Sequence, residues 1–472
     1  MISFGTGGWR AIIGEDFTKE NVQKLTRALA LRMKKEDVQD KSFCIGYDRR
    51  FLSRQAAEWS AEVMAAEGIH VLLINREAPT PLIMFTVQSY GLAYGMAVTA
   101  SHNPALYNGI KLFTKGGRDA EEQITNELGD AANAVKVAEI TAIPYAKAIL
   151  AGMVQEINPQ NQYIDAIIRG VNMDAIRSRN LLIVLDPMYG VSRTSLQTIL
   201  LTARCDVSVI HERHDTLFGG RLPAPNVDTL GALQASVLES HADIGVATDG
   251  DADRLGIIDD EGHFVHPNQI LVLLYYYLLK YKKWHGPAVR NVATTHLLDR
   301  VATAFGETCY EVPVGFKHIS SAMQAHNAVI GGESSGGLTV RGHINGKDGI
   351  YAATLLVEML SVTGRKLSEL MKDVYAEFGT AYMAECDWPF DQEMKDKLIK
   401  LLMADKKLPT FPVPVVGTNY MDGCKVLFEN GWIIARFSGT EPRLRVFCEM
   451  PTRAEAERLT RVMAEFLGLP MA

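Results

Sequence analysis

The sequence predicts an α/β protein: three similar α/β domains with mixed, mostly parallel sheets, then a smaller α+β domain, arranged around one central cleft. Three observations predict it. A strand–helix–strand unit occurs three times, each copy is followed by an apolar strand ending in a loop of unusual composition, and the C-terminal part breaks the pattern.

The first copy has a strand at 43–47, the polar turn Asp48-Arg49-Arg50, a helix at 53–67 stopped by Gly68, and a strand at 69–74, with Pro79 and Pro81 beyond. The second has a strand at 181–185, the turn Asp186-Pro187, a helix at 191–203 and a strand at 206–210, followed by Pro223 and Pro225. The third has a strand at 290–295, a helix at 297–305, Gly306, a strand at 309–312 and Pro313. Short apolar runs alternating with longer helices are the pattern of βαβ units on a parallel sheet. Beyond each copy, a strand at 94–99 runs into Ala100-Ser101-His102-Asn103-Pro104, one at 243–248 into Asp249-Gly250-Asp251-Ala252-Asp253-Arg254, and one at 328–330 into Gly331-Gly332-Glu333-Ser334-Ser335-Gly336-Gly337. Ligands bind at the carboxyl ends of strands in open α/β sheets, so three equivalent loops of different chemistry read as three walls of one cleft. Strands at 432–437 and 443–448 around Ser438-Gly439-Thr440-Glu441-Pro442, and a helix at 453–467, form the α+β domain, which adds a loop rather than a fourth copy. The expected domains are 1–150, 151–259, 260–370 and 371–472.

With 472 residues, 47% hydrophobic and 22% charged, the chain has core enough for several domains, which excludes disordered and fibrous classes. Lys and Arg number 48 against 55 Asp and Glu, a net charge of −7 without a basic tail. That argues against a nucleic-acid partner, while a local Arg/Lys cluster can still hold a small anion. Six cysteines (44, 205, 309, 386, 424 and 448) form no C-x-x-C pair and read as reduced thiols. No signal-peptide pattern opens the sequence, and the longest apolar run, 270–279, reads as a buried helix, too short to cross a bilayer. The expectation is a cytoplasmic protein, monomer or homodimer, with no membrane partner.

Asp249, Asp251 and Asp253 recur at a period of two, which places them on one side of an extended segment. Like charges so close call for a hard cation, and oxygen-only ligation favours magnesium. An EF-hand is excluded because Arg254 stands where its glycine belongs and Leu255-Gly256-Ile257-Ile258 continues as a strand. Taken alone, Ser101 reads equally as an accessible nucleophile and as a plain turn, and His102 beside it would point away on a strand. Arg436-x-Ser438-Gly439-Thr440-Glu441-Pro442-x-x-Arg445 offers cations, hydroxyls and a glycine turn for an anion, or a simple hairpin with exposed arginines.

Together these loops resemble the α-D-phosphohexomutase family, in its phosphoglucomutase/phosphomannomutase branch, over essentially the whole chain. The resemblance is carried in family order by Phe4-Gly5-Thr6-Gly7-Gly8-Trp9-Arg10, by Thr99-Ala100-Ser101-His102-Asn103-Pro104 with Asn108-Gly109-Ile110-Lys111, by the Asp249–Arg254 loop, by Gly332-Glu333-Ser334-Ser335-Gly336, and by Arg436-Phe437-Ser438-Gly439-Thr440-Glu441-Pro442. It implies a phosphoserine at Ser101, which gives its phosphoryl group to a hexose phosphate and takes the other one back from a hexose 1,6-bisphosphate. It further implies one Mg2+ per chain on Ser101, Asp249, Asp251 and Asp253, with glucose 1,6-bisphosphate as activator. Arg10, His102 and Lys111 are implied at the catalytic serine, with Lys111 as general base or phosphate contact. Arg254, Gly315, Lys317, Glu333, Ser335, Arg341 and His343 are implied on the substrate, and Arg436, Ser438, Gly439, Thr440 and Arg443 on the phosphate not being transferred. Protecting a phosphoserine from water implies closure by the C-terminal domain.

Two departures stand out: Gly7 replaces the family's usual Ser, and Gly337 stands where some relatives carry a histidine, so His343 is a stand-in or a structural residue. Glucose phosphates are the first expected substrates and mannose phosphates the second. The alternatives are a hexose 1,6-bisphosphate synthase, a phosphoglucosamine mutase (disfavoured by the absence of its loop Gln) and a non-catalytic sugar-phosphate-binding protein.

Overall fold

The computed structural model describes residues 1–5, 7–438 and 443–470. The chain folds as two compact units, Met1–Pro267 with Ser335–Ser368, and Asn268–Ser334 with Glu369–Ala472.

The first unit contains two mixed sheets. In the first, Tyr94–Val98, Phe43–Tyr47, Val71–Ile74 and Val154–Ile157 run parallel, while Tyr107–Thr114 and Gly8–Ile12 extend it antiparallel. Phe43–Tyr47 and Tyr94–Val98 are buried at every position, as continuous apolar runs under helices must be. Val154–Ile157 carries this sheet past the boundary expected at residue 150. In the second sheet, Asp206–Val209, Leu182–Asp186 and Ile244–Thr248 are parallel, and Leu255–Ile258 and Phe264–Val265 follow antiparallel, past residue 259. The helix Gly349–Thr363, expected within the third domain, belongs to the first unit.

The second unit holds the parallel strands Cys309–Val312, Ala288–Asn291 and Ile330–Gly332. It also holds an antiparallel sheet in the order Tyr382–Pro389, Arg443–Met450, Gly431–Phe437, Cys424–Phe428 and Val415–Asn419, packed on the helix Arg453–Leu467. The strand expected at 290–295 is Ala288–Asn291, and it stops earlier because Asn291 ends it. Its side-chain oxygen accepts from Ala293 N and Thr294 Oγ1, both at 2.9 Å, and so forms a turn. The strand expected at 328–330 instead runs into Gly331 and Gly332, which are buried but carry no apolar signal.

The repeat has a packing signature. A Cβ on Gly95 would lie 2.2 Å from Val87, on Gly245 2.6 Å from Val237, and on Gly331 2.5 Å from Ile319. Each glycine is the second residue of its strand, so the same strand position takes the same helix at close range in all three copies. Among the described residues, no helix is long and apolar enough to cross a membrane. The 270–279 run lies inside the buried helix Pro267–Lys280.

The contact between the parallel strands and the antiparallel sheet of the second unit centres on Lys425, which is 1% exposed. Its Nζ donates to Glu311, which also accepts from Arg290 and Asn419. The same atom lies 2.9 Å from His296 Nε2 and 4.6 Å over the Trp432 ring. Burial, with Arg290 alongside, lowers the Lys425 pKa to about 8. An unfolded lysine keeps its proton to ~10.4, so between these values the unfolded chain binds more protons and stability rises with pH. Burial raises the thiols of Cys44, Cys309 and Cys448, which pulls stability down over the same range, so the lysine shows in a difference. From pH 8 to 10 the urea stability of the wild type should gain on that of Lys425→Met by on the order of 1–3 kcal/mol at ~1.36 kcal/mol per pKa unit. Equal pH slopes in the two proteins would refute the assignment.

Candidate active site

Within the first unit, the loops that leave Tyr94–Val98 and Ile244–Thr248 meet. Thr99 Oγ1 donates to Asp48 Oδ2 (2.6 Å) and accepts from Ser101 N (2.9 Å). These bonds fold the chain so that Ser101 lies in the left-handed region, with φ +52°, at a cost of about 1–2 kcal/mol for an L-residue. Ser101 and His102 therefore do not point apart as strand neighbours would: Oγ and Nδ1 are 3.4 Å from each other. Ser101 Oγ donates to Asp249 Oδ2 at 2.7 Å.

The carboxylates do not converge along an extended segment, as their period of two suggested. The loop curls through a turn from Asp249 O to Ala252 N (3.0 Å), with Ala252 at φ +62°. All three are buried, and one oxygen from each lies within 4.8 Å of the others. Asp249 Oδ1 accepts from Arg254 N (3.0 Å). Asp251 Oδ2 accepts from Thr80 Oγ1 and Lys111 Nζ, both at 2.6 Å. Asp253 Oδ2 accepts from Lys111 (2.6 Å) and pairs with Lys347 (2.9 Å). Asp251 Oδ1 and Asp253 Oδ1 are buried, with no hydrogen-bond partner among the described residues. Such orphaned oxygens are costly, and this all-oxygen donor set fits a hard divalent cation.

Burial and the neighbouring Asp251 and Asp253 push Asp249 well above the usual carboxylate range. Burial pushes Asp253 up as well, but Lys111, Lys347 and Arg254 outweigh it and hold it well below. Burial also disfavours charge on Lys111, yet Asp251 and Asp253 overcome that and raise its pKa above the ordinary lysine value. Lys111 thus stands between two carboxylates, 2.6 Å from an oxygen of each. Burial, then Arg254 and Arg10, keep His102 well below an ordinary histidine and so neutral.

Arg10 Nη1 donates to Asn103 Oδ1 in the serine loop, and a Cβ on Gly7 would sit 2.9 Å from Arg10 Nη2. His343 packs against residues of the first unit. Its Nε2 is 2.6 Å from Asp348 Oδ2, which also accepts from Tyr163 Oη (2.7 Å), and its ring stacks on Tyr351. Asp348 Oδ1 caps the helix Gly349–Thr363, so His343 braces a helix terminus. Ser335 is exposed and Arg341 half-buried.

In the second unit, Glu333 Oε1 accepts from Gly315 N (3.2 Å) and Asn291 Nδ2 (3.1 Å), which brings two of the expected substrate residues together. Gly315 caps the helix Phe316–His326, whose first turn carries Lys317. Asp422 accepts from Val314 N (2.9 Å) and from Arg436 Nη2 (3.2 Å), tying the arginine of the C-terminal hairpin to this loop. Arg436 Nε is buried, with no hydrogen-bond partner among the described residues. Ser438 N donates to Arg443 O (2.8 Å), and Arg443 pairs with Asp387 on the surface (2.9 Å). Gly439 and Thr440, like Thr6, lie outside the described residues. Sequence reasoning missed Asp48, Arg50, Thr80, Lys347 and Asp422. Asp48 and Arg50 carried a faint signal as charges wedged between a buried strand and its helix.

Four family descriptions match the chain in order: phosphoglucomutase/phosphomannomutase alpha/beta/alpha domain I over 1–138, domain II over 161–262, domain III over 266–378, and the C-terminal domain over 398–466. A phosphoglucomutase/phosphomannomutase of Thermococcus kodakarensis is 30% identical over 460 residues, covering 96% of this chain and 95% of that protein. A probable phosphoglucosamine mutase of Pyrococcus horikoshii is 31% identical over 459 residues, covering 97% and 96%. A crystal structure from Thermus thermophilus, assigned as a phosphomannomutase, superimposes with a TM-score of 0.84 at 28% identity, over 98% of this chain and 97% of that one. The chain belongs to the phosphoglucomutase/phosphomannomutase family.

The approach of the two loops depends on Gly250, where a Cβ would stand 2.8 Å from the Ser101 carbonyl oxygen, a main-chain atom with little room to yield. Gly250→Ala should cost about 1–3 kcal/mol of stability in urea unfolding. An unchanged midpoint would show that the serine turn gives way freely.

Proposed function

We propose that this protein interconverts hexose 1-phosphates and hexose 6-phosphates in the cytoplasm, with glucose phosphates first and mannose phosphates second. The observation that carries the reading is the Ser101 hydroxyl 2.7 Å from a carboxylate of a buried three-aspartate cluster with two orphaned oxygens. A solvated acidic turn has no need of such a partner, and a binding protein has no need of a nucleophile there.

Ser101 carries the phosphoryl group. Its O–P bond breaks as the free hydroxyl of the sugar phosphate bonds to phosphorus, and the hydroxyl proton leaves to a base. The hexose 1,6-bisphosphate then turns end for end and returns its other phosphoryl group to Ser101, so trace glucose 1,6-bisphosphate primes the enzyme. Asp249, Asp251 and Asp253 would hold Mg2+, which supplies charge neutralisation for the phosphoryl group in transfer. Lys111, Arg254 and Arg10 add fixed positive charge around the serine. His102, neutral and 3.4 Å from Ser101 Oγ, keeps a lone pair for the proton. Glu333, Gly315, Lys317, Ser335 and Arg341 serve the sugar, and Arg436, Ser438, Gly439, Thr440 and Arg443 the phosphate that stays. A second reading, phosphoglucosamine mutase, is favoured by the 31% identity to the Pyrococcus relative.

The test is conversion of glucose 1-phosphate with Mg2+ and trace glucose 1,6-bisphosphate, beside mannose 1-phosphate and glucosamine 1-phosphate. Isomerisation of one of them at a clear excess ranks the sugars, whereas net bisphosphate accumulation would indicate a synthase. Ser101→Ala should abolish turnover while sugar-phosphate binding by calorimetry persists, and wild-type rates in that variant would end the phosphoserine mechanism. Asp251→Asn should weaken Mg2+ activation, by about 10- to 100-fold in the metal concentration required.

A further inference from the structure

Arg50 follows the strand Phe43–Tyr47 and is 3% exposed. Its guanidinium makes four hydrogen bonds, all to main-chain carbonyls of the serine loop. Nη2 donates to Ser101 O (2.7 Å) and Asn103 O (2.6 Å), and Nη1 to Pro104 O (2.8 Å) and Tyr107 O (3.0 Å). Asp48 Oδ1 accepts from Arg50 N (2.9 Å), and Asp48 Oδ2 from Thr99 Oγ1, so one carboxylate orients both the arginine and the threonine that receives Ser101 N. The other face of the guanidinium lies 4.8 Å from the ring of Phe218, a buried residue of the segment after the second βαβ unit, itself at φ +52°.

Four carbonyl dipoles converging on one point repel each other unless a cation of matching shape stands among them. A planar guanidinium presents its N–H groups in a fixed fork, whereas a lysine ammonium offers three donors at one point and cannot span the loop. The loop so gathered holds Ser101 in a backbone conformation that L-residues avoid, with its carbonyl against Gly250 and its hydroxyl on Asp249. Arg50 touches no reacting atom.

We infer that Arg50 is the positioning residue of the phosphoryl-carrying serine: it sets the left-handed turn that aims Ser101 Oγ at the aspartate cluster, with Phe218 holding the guanidinium in its plane. This rests on the mutase reading above. Arg50 acts on the geometry of transfer and not on the grip on the sugar, so its loss belongs in kcat.

The experiment compares wild type with Arg50→Lys in two assays: steady-state turnover of glucose 1-phosphate, and single-turnover transfer of labelled phosphate from glucose 1,6-bisphosphate to Ser101. The folded fraction is set by circular dichroism. Per folded molecule, Arg50→Lys should lower kcat and the labelling rate together by about 10- to 100-fold, with KM shifted by less than about threefold. Wild-type kcat per folded molecule overturns the inference, as does a loss that appears in KM alone. If Arg50→Lys does not fold, Phe218→Leu decides: a smaller parallel loss in kcat and labelling sustains the inference, and unchanged rates overturn it. Wild-type protein that never labels at Ser101 refutes the mutase reading and this inference with it. Labelling in both proteins at equal rates refutes the inference alone.

Discussion

Three carboxylates buried within 4.8 Å of one another are the constraint on which the first unit depends. Unpaired, such charges would cost many kcal/mol in desolvation and mutual repulsion. The fold answers with cations and donors from separate stretches of chain: Lys111 from an antiparallel strand of the first sheet, Lys347 from the segment before the helix Gly349–Thr363, and Thr80 from the start of a helix. The residual imbalance, two orphaned oxygens beside a serine hydroxyl, is what makes the cluster a site and not only a brace.

The repeated architecture explains how these segments arrive together. Gly95 and Gly245 let a helix lie close on the same strand position in the first two copies, so the carboxyl ends of equivalent strands end in loops that can meet. That meeting carries backbone strain: Ser101 and Ala252 both hold left-handed conformations. Strain of this kind persists where surrounding bonds over-determine it, and Arg50, Thr99 and Asp48 supply those bonds. An acidic chain of net charge −7 thus gathers Arg10, Arg50, Lys111, Arg254 and Lys347 in one region, the local field an anionic substrate requires.

The second unit solves a related problem by other means. Asp422 ties Arg436 to the loop that carries Gly315 and Glu333, and the buried Lys425–Glu311–Arg290 network joins its two sheets. The benefit of that network falls mainly to Glu311, which accepts from several cations. Lys425 bears the burial and shares its carboxylate with an arginine, so its charge is the one that destabilises.

The sequence alone determined what is local. Apolar runs and turn residues marked the three copies, most strands to within a residue or two, and the C-terminal helix Arg453–Leu467. The spacing of the three aspartates pointed to their meeting, although they meet through a turn and not along the extended segment that the period suggested. Glycine-rich strand ends were misplaced, since a buried Gly331 carries no apolar signal. Tertiary structure decided the rest. That Lys111 pairs with Asp251 and Asp253, and His343 with Asp348, depended on which carboxylates the fold brought opposite them. Arg50 looked like one more charge in a turn until four carbonyls from a loop fifty residues away closed on it. Charge and hydrogen bonding are settled by the partner across space, and that partner is not written in the neighbouring sequence.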